Sequence, residues 1–355
     1  MSRLKIFSQL TRFLRKHMKP EYSELFNPYF NYISLPEIKE DKPLISILCP
    51  YYKVGDYVED ALLSILEQTY DNWELICIDD ASPDTVAYDV IQRINDPRIK
   101  YKRLPKNSGA ALARNTAFNM SSGDYILCFD PDDILHPFTL QLLLSRALAS
   151  SSPDIILYDI KVFGSEVSYW RTKIYDEKEL TRRNWIIGPS LVKRKLWANT
   201  NGQSSAPELH LGSEDWDFWL CCFKTCDRIV VEHIPLPFLL YRRHSTSSCA
   251  KSDFYEYKIR QKILENHKEL FDKYGTGSAF LAEGFSKSFY ANIDSKQWRQ
   301  AQTIFTEALK KAEFFSVLRA FLRPLLHRIR LGLRRFLRKF VLNPLGIFPK
   351  KHISK

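Results

Sequence analysis

Short runs of uninterrupted apolar residues alternate with segments of helical period through the first half of the chain. Leu44–Cys49 (LISILC) predicts a buried strand and Val58–Gln68 (VEDALLSILEQ) an amphipathic helix. Trp73–Ile78 (WELICI) is a second apolar run, closed by Asp79 and Asp80. Thr85–Asn95 has helical spacing, Ile99–Arg103 reads as a short strand and Ala110–Asn119 as a helix. Tyr125–Phe129 (YILCF) runs straight into Asp130-Pro131-Asp132-Asp133, and a helix over Pro137–Ala149 and a strand over Asp154–Tyr158 follow. Strands alternating with helices of about ten residues predict a doubly wound, mostly parallel α/β sheet.

Such a sheet binds ligands at the carboxyl ends of its strands, near the point where strand order reverses. The polar residues sit there. Pro50-Tyr51-Tyr52 follows the first strand, Asp79-Asp80 the second and Asp130–Asp133 the fourth. No GxGxxG follows the first strand and no GxxxxGK[ST] occurs, so neither a dinucleotide fold nor a P-loop is supported.

Three carboxylates within four residues repel one another unless water or a cation neutralises them. A hard divalent ion takes such oxygen ligands and commonly holds substrate phosphates as well. The same cluster also fits a solvated acidic turn before Pro137, and its position directly after a buried strand favours the metal. Asp79 and Asp80 would accept from a base N–H or a ribose hydroxyl; equally, one would cap the helix at Thr85, a role Asp84 also fits. Pro50 and Tyr52 would offer backbone and an aromatic face to a nucleobase.

The stretch ISILCPYY…SILEQTYDNWELICIDDASPD…NSGAALARNTA…SSGDYILCFDPDD strongly resembles the start of glycosyltransferase family 2. Gly212-Ser213-Glu214-Asp215-Trp216-Asp217 resembles that family's ED motif, and Tyr241-Arg242-Arg243-His244, followed by Ser247-Ser248, its closing YRxH segment. The resemblance covers roughly residues 44–248 and implies a GT-A fold that takes a sugar from a nucleotide-diphosphate donor with inversion. Carried over, it implies that Pro50, Tyr52, Asp79 and Asp80 surround the nucleoside. Arg114 would hold the nucleotide end of the donor, and Asp130 and Asp132 would place Mn²⁺ or Mg²⁺ on the diphosphate. Asp215 would be the general base, His244 a further metal or phosphate ligand, and Arg242 or Arg243 a cation for the leaving group. A carboxylate base is needed because a sugar hydroxyl holds its proton far above neutral pH. Glu214 and Asp217 compete for that role, and all three acids also suit the start of a helix. Ala81 stands where the family has glycine after the Asp pair, and Asn201-Gly202-Gln203-Ser204-Ser205 replaces a glycine-aromatic-acid stretch next to the acceptor.

Beyond residue 250 the pattern changes. Residues 251–314 read as helical. At 100° per residue, Leu318, Leu322, Leu325, Leu326, Ile329, Leu333, Phe336, Leu337 and Phe340 share one stripe, with Arg319, Arg323, Arg328, Arg330, Arg334, Arg335, Arg338 and Lys339 outside it or on its margin. Pro324 is expected to start or kink that helix. Charge follows the same division. The chain carries +11 overall, yet six Lys or Arg and no acid lie in residues 1–20, and thirteen against two acids in residues 301–355. The body between is mildly acidic, which argues against a nucleic-acid groove and for arms that meet an anionic membrane surface. Leu4–Met18 is a weaker version of the same pattern.

No stretch has the roughly 18–20 apolar residues of a membrane span, and the charge-interrupted N-terminus does not read as a signal peptide. Seven cysteines without a CxxC pair suit reduced thiols in a cytoplasmic protein. The organisation expected is an arm and lead-in over 1–43, a catalytic domain over 44–250, a helical extension over 251–314 and a basic amphipathic helix and tail over 315–355. The function expected is metal-dependent transfer of a sugar to a glycan or lipid-linked acceptor, in surface polysaccharide synthesis on the inner face of the membrane. The alternatives are an inactive nucleotide-binding scaffold and a nucleotidyltransferase.

Overall fold

The computed structural model describes residues 19–30, 35, 36, 38, 42–244 and 249–336. The amphipathic stretch expected at Leu4–Met18, the Ser247-Ser248 pair, and Leu337 and Phe340 lie outside the described residues. The chain divides into two compact units, Met1–Ser252 and Asp253–Lys355.

In the first unit, α1 (Pro20–Phe30) precedes β1 (Ile45–Tyr51), α2 (Tyr57–Leu66), β2 (Trp73–Asp79), α3 (Val86–Ile94), β3 (Ile99–Arg103), α4 (Ala110–Met120) and β4 (Tyr125–Cys128). There follow β5 (Ile134–Leu135), α5 (Thr139–Ala147), β6 (Ile155–Gly164), β7 (Ser168–Trp170), β8 (Leu191–Lys193), α6 (Glu214–Thr225) and β9 (Val231–Arg243). One sheet runs in the order β3-β2-β1-β4-β8-β6-β9-β5, with β7 paired to β6. β3, β2, β1 and β4 are parallel, in the register Ile45↔Trp73 and Ile45↔Tyr125. Every residue of β1 and β2 is buried, as strands covered on both faces require, and that is why they read as unbroken apolar runs.

The other half of the sheet is mixed. β8 is antiparallel to β4 and β6, β5 is antiparallel to β9, and β6 and β9 are parallel. The strand expected at Asp154–Tyr158 continues to Gly164, because Ile160–Gly164 go on pairing with Leu239–Arg243. β9 contains Pro235 and Pro237, and the ladder slips on both sides of Asp159, which lies opposite Pro237. Proline gives no N–H to a ladder, so it is accommodated at an irregularity.

After β2 the chain turns sharply, and Ala81 takes the left-handed conformation (φ 57°) in which the resembling family has glycine. A Cβ there costs on the order of 1 kcal/mol. Asp79 holds the turn by accepting from the Ser82 N–H at 2.7 Å.

The second unit is helical: α7 (Cys249–Asn266, which starts at the boundary), α8 (Lys268–Tyr274), α9 (Gly277–Asp294), α10 (Trp298–Lys311) and α11 (Phe314–Phe336). Leu281 and Phe285 of α9, Ile304 and Ala308 of α10, and Val317 and Phe321 of α11 form its core. Pro324 neither starts α11 nor ends it. It deprives the Ala320 carbonyl of its helical N–H, and the buried Ser286 hydroxyl donates to that oxygen instead, at 2.9 Å. The Tyr290 hydroxyl donates to the Phe321 carbonyl at 2.8 Å. α11 thus docks by one face, while Phe314, Phe315, Leu318, Leu322, Leu325 and Leu326 remain exposed, Phe315 at 79% and Leu326 at 61%.

Candidate active site

β1, β2, β4 and β9 and the start of α6 supply the residues singled out in the sequence. The acidic turn after β4 is tied to three distant elements. Arg114, on α4, donates from Nη2 to Asp130 Oδ1 at 2.8 Å and from Nη1 to Glu214 Oε1 at 2.9 Å. Its own burial works against its charge, but Asp130 and Glu214 outweigh that and hold its pKa well above the usual value. One guanidinium therefore joins the DPDD turn to the ED motif. Nη1 also reaches Gln203 Oε1 at 3.3 Å, and Nε is buried with no hydrogen-bond partner.

His244 Nε2 lies 2.9 Å from Asp132 Oδ2, and the Arg242 N–H donates to Asp133 Oδ1 at 2.9 Å. Burial first, and the Asp130 charge second, raise the pKa of Asp132, while His244 opposes the shift. Asp133 is fully buried, and burial followed by its two acidic neighbours raises it further. Asp132 and Asp133 are held here at an electrostatic cost beside Asp130, the condition that a divalent cation relieves. Among the described residues no three His, Cys, Asp or Glu side chains are already grouped to hold a metal. The carboxylates of Asp130 and Asp132 and the imidazole of His244 are nevertheless a donor set that fits Mn²⁺ or Mg²⁺.

Arg242 is built into the framework. Its Nε donates to the Asp132 carbonyl at 2.8 Å and its Nη2 to the Tyr22 hydroxyl at 3.1 Å, and its guanidinium lies over Tyr57 at 4.3 Å and Phe163 at 4.5 Å. Asp79 and Asp80 also have protein partners. Asp79 Oδ2 accepts from Tyr101 at 2.7 Å and Arg103 at 2.6 Å. Asp80 accepts from the N–H groups of Ser108 and Gly109, at 2.7 and 2.8 Å, just before α4. Both are almost wholly buried and shape the rim by fixing its loops. Pro50 is buried in β1, and the neighbouring Tyr51 hydroxyl donates to Asp84 at 2.6 Å. Tyr52 stands 40% exposed, with the Lys53 ammonium 5.1 Å from its ring centre.

The three acids at the start of α6 have different surroundings. Glu214 is engaged by Arg114 and Asp217 is buried. Among the described residues Asp215 accepts from neutral donors, the Trp216 N–H at 2.8 Å (Oδ1) and the Asn184 amide at 3.1 Å (Oδ2). Burial first and the Glu214 charge second push its pKa up to about 6, against the pull of Arg114. A carboxylate poised there is half ionised near pH 6, mostly ionised at neutrality, and suits proton abstraction. Ser213, immediately before, takes a left-handed φ of 76° and aims the first turn of the helix.

Several contributors carry no sequence signal of their own. Asn184 belongs to a loop anchored by the Trp216 indole, which donates to the Leu180 carbonyl at 2.8 Å. A Cβ on Gly188 would lie 3.5 Å from Asp215 Oδ2, so the chain at Gly188 passes directly against that oxygen. The 201–205 segment is pinned by Asn115, which bonds the N–H and the carbonyl of Gln203 at 2.8 and 2.7 Å. A Cβ on Gly202 would strike Asn115 at 2.3 Å, so glycine is required there. The glycines were the signal available, though not which partner each one admits.

The family model described as Glycosyl transferase family 2 matches residues 46–204. An uncharacterized glycosyltransferase of Haemophilus influenzae is 43% identical over 218 residues, 58% of this chain and 82% of that protein. The UDP-Glc:alpha-D-GlcNAc-diphosphoundecaprenol beta-1,3-glucosyltransferase WfgD of Escherichia coli is 28% identical over 248 residues, 64% of this chain and 88% of the other. Among solved structures, S. aureus TarS 1–349 in complex with UDP-GlcNAc superposes with a TM-score of 0.59 at 16% identity, over 81% of this chain and 87% of that one. That similarity establishes a shared GT-A-type fold.

Proposed function

The chain belongs to glycosyltransferase family 2, and on that premise we propose that it transfers a sugar from a nucleotide-diphosphate donor, with inversion, to a hydroxyl of a lipid-linked glycan in surface polysaccharide synthesis. The observation that carries this reading is the Arg114 bridge, which gathers the acidic turn and the ED motif at one place with Asp215 beside them. Asp215 is the general base: its pKa of about 6 leaves it mostly ionised at neutral pH, and Asn184 and the adjacent Gly188 fix the position of Oδ2. Asp130, Asp132 and His244 would hold Mn²⁺ or Mg²⁺, which when bound offsets the charge growing on the leaving diphosphate. Tyr52 offers its exposed ring to the base, and the unpartnered Arg114 Nε is a donor for a phosphate oxygen. WfgD supports the acceptor class, since its name gives a diphosphoundecaprenol-linked sugar.

A peripheral position on the cytoplasmic face of an anionic membrane fits this acceptor. No helix among the described residues is long and apolar enough to cross a bilayer. The exposed apolar side of α11, from Phe315 to Leu326, is flanked in sequence by Arg319 and Arg323. Apolar burial together with basic residues, each worth about 1 kcal/mol on anionic lipid, would hold it at the surface.

The deciding experiment replaces Asp215 with Asn and measures transfer and nucleotide binding separately. Transfer should fall by ~10² to 10⁴, the range for losing a general base, while nucleotide binding stays as in the wild type. A fully active Asp215→Asn protein, with Glu214→Gln or Asp217→Asn inactive, would move the base elsewhere.

A further inference from the structure

Away from the strand ends that carry the DPDD turn, a cavity of about 790 Å³ opens along β6 and β9, within the size range of small-molecule sites. It lies at the irregularity in the β6–β9 ladder, where Asp159 meets the two prolines of β9. Asp159 is five residues before Gly164, the partner of Arg243, so about 16 Å of strand separates it from the end that leads to His244.

The floor is a closed polar network. Buried Asp159 accepts from the Tyr169 hydroxyl at 2.8 Å (Oδ2), the Thr172 N–H at 2.9 Å and His233 Nε2 at 2.8 Å (both Oδ1). Three donors solvate this carboxylate, which lines the cavity as one negative charge against two cations. Around the mouth the charge is positive. Arg171 and Lys173 are exposed, and neither has a carboxylate within 4 Å among the described residues. Both line the cavity just beyond the end of β7. Tyr29 of α1 and Tyr169 of β7 stack with ring centres 5.4 Å apart at 30° and add an aromatic wall.

Two unmatched cations call for an anion, while the tyrosine faces and the half-buried His233 suit a ring with apolar C–H edges and hydroxyls. A free inorganic anion would use only the cations. We propose that this cavity is a second saccharide site that takes an anionic sugar, one bearing a carboxylate or a phosphate. As a place to hold the glycan being extended it rests on the transfer reading above; as a binding site it does not.

The test is calorimetry on the full chain with four probes: a uronic acid oligosaccharide, a sugar 1-phosphate, a neutral oligosaccharide of equal length and inorganic phosphate. At least one anionic sugar should bind about tenfold more tightly than the neutral sugar and than phosphate, and which one binds separates carboxylate from phosphate as the group read. Replacing both cations (Arg171→Ala with Lys173→Ala) should weaken that binding about tenfold, the sum of two partly exposed charge contacts, and leave nucleotide binding and the thermal midpoint unchanged. The Asp215→Asn chain, defective in transfer, should bind the anionic sugar as the wild type does, so failure of the base assignment and failure of this site are distinguishable. Equal binding of phosphate alone, equal binding of the neutral sugar, or an indifferent double variant would each overturn the proposal.

Discussion

The crevice of the first unit and the helices of the second treat their polar groups in opposite ways. In the second unit the partners come from the same helix or from another helix of that unit. Arg260 pairs with Glu256 one turn away, and the carbonyl that Pro324 orphans is served by Ser286. In the crevice, partners come from far along the chain and leave tension behind. Arg114 reaches 100 residues to Glu214, His244 reaches 112 back to Asp132, and Asp215 remains with a raised pKa beside another acid. Ala81 and Ser213 add left-handed backbone to the same region. Helices that only need to hold together pair their polar groups within their own unit. A surface that must receive a charged substrate keeps unfavourable charge in place.

This contrast can be broken or sharpened by measurement, the largest effect first. Arg114→Ala removes the cation between two partly buried carboxylates and should cost about 3 kcal/mol in urea unfolding of the first unit, after allowance for the exposure of Asp130. Arg114→Lys should recover only part of it, since a point charge cannot span both acids. An Arg114→Ala chain as stable as the wild type would mean that the bridge is a surface pairing.

Asp215→Asn, by contrast, should stabilise. A carboxyl whose pKa rises to about 6 on folding binds its proton more tightly when folded. The stabilisation from that proton is complete below about pH 4 and is lost as pH rises through about 6. The variant should therefore exceed the wild type by about 2 kcal/mol at pH 7.5 and match it near pH 4. Destabilisation at pH 7.5 would sink the claim that this charge is held against burial.

In the second unit, Ser286→Ala should cost about 1 kcal/mol, read by amide exchange in α11, because it leaves a half-buried carbonyl unpaired. The cost should disappear in a Pro324→Ala background, where the helix supplies its own N–H again. Persistence of the full cost there would show that Ser286 acts through packing. The smallest effect belongs to Ala81→Gly, which should stabilise by about 0.5 kcal/mol as relief of the left-handed strain outweighs the greater freedom of the unfolded glycine. A loss of that size would mean the turn is unstrained.

The difference between the two regions also explains what the sequence made legible. β1, β2 and β4 were readable because burial on both faces leaves unbroken apolar runs. β9 was not, since its Pro235 and Pro237 are the residues that normally argue against a strand, and β5, β7 and β8 are too short to show a period. Arg114, Asp130, Asp132, Asp215 and His244 each stood out through motif spacing, but their pairing depends on contacts across a hundred residues. Asn184 and Gln203 act through one side chain each and leave no pattern to read. In α11 the apolar residues were legible but not their division: Val317 and Phe321 dock inward while Leu318 and Leu322 stay outside.

The shared guanidinium of Arg114 has a thermodynamic corollary. Asp130 and Glu214 draw on one positive charge, so whatever competes for Arg114 at one of them changes its hold on the other. A cation taken up by Asp130 would release Nη2 and leave the guanidinium to Glu214, the first residue of the helix that carries Asp215. Linkage makes the effect reciprocal: any ligand that alters the Glu214 contact must change the cation affinity of the acidic turn by the same factor. On the proposed reading, donor-side and acceptor-side occupancy would be coupled through a single residue.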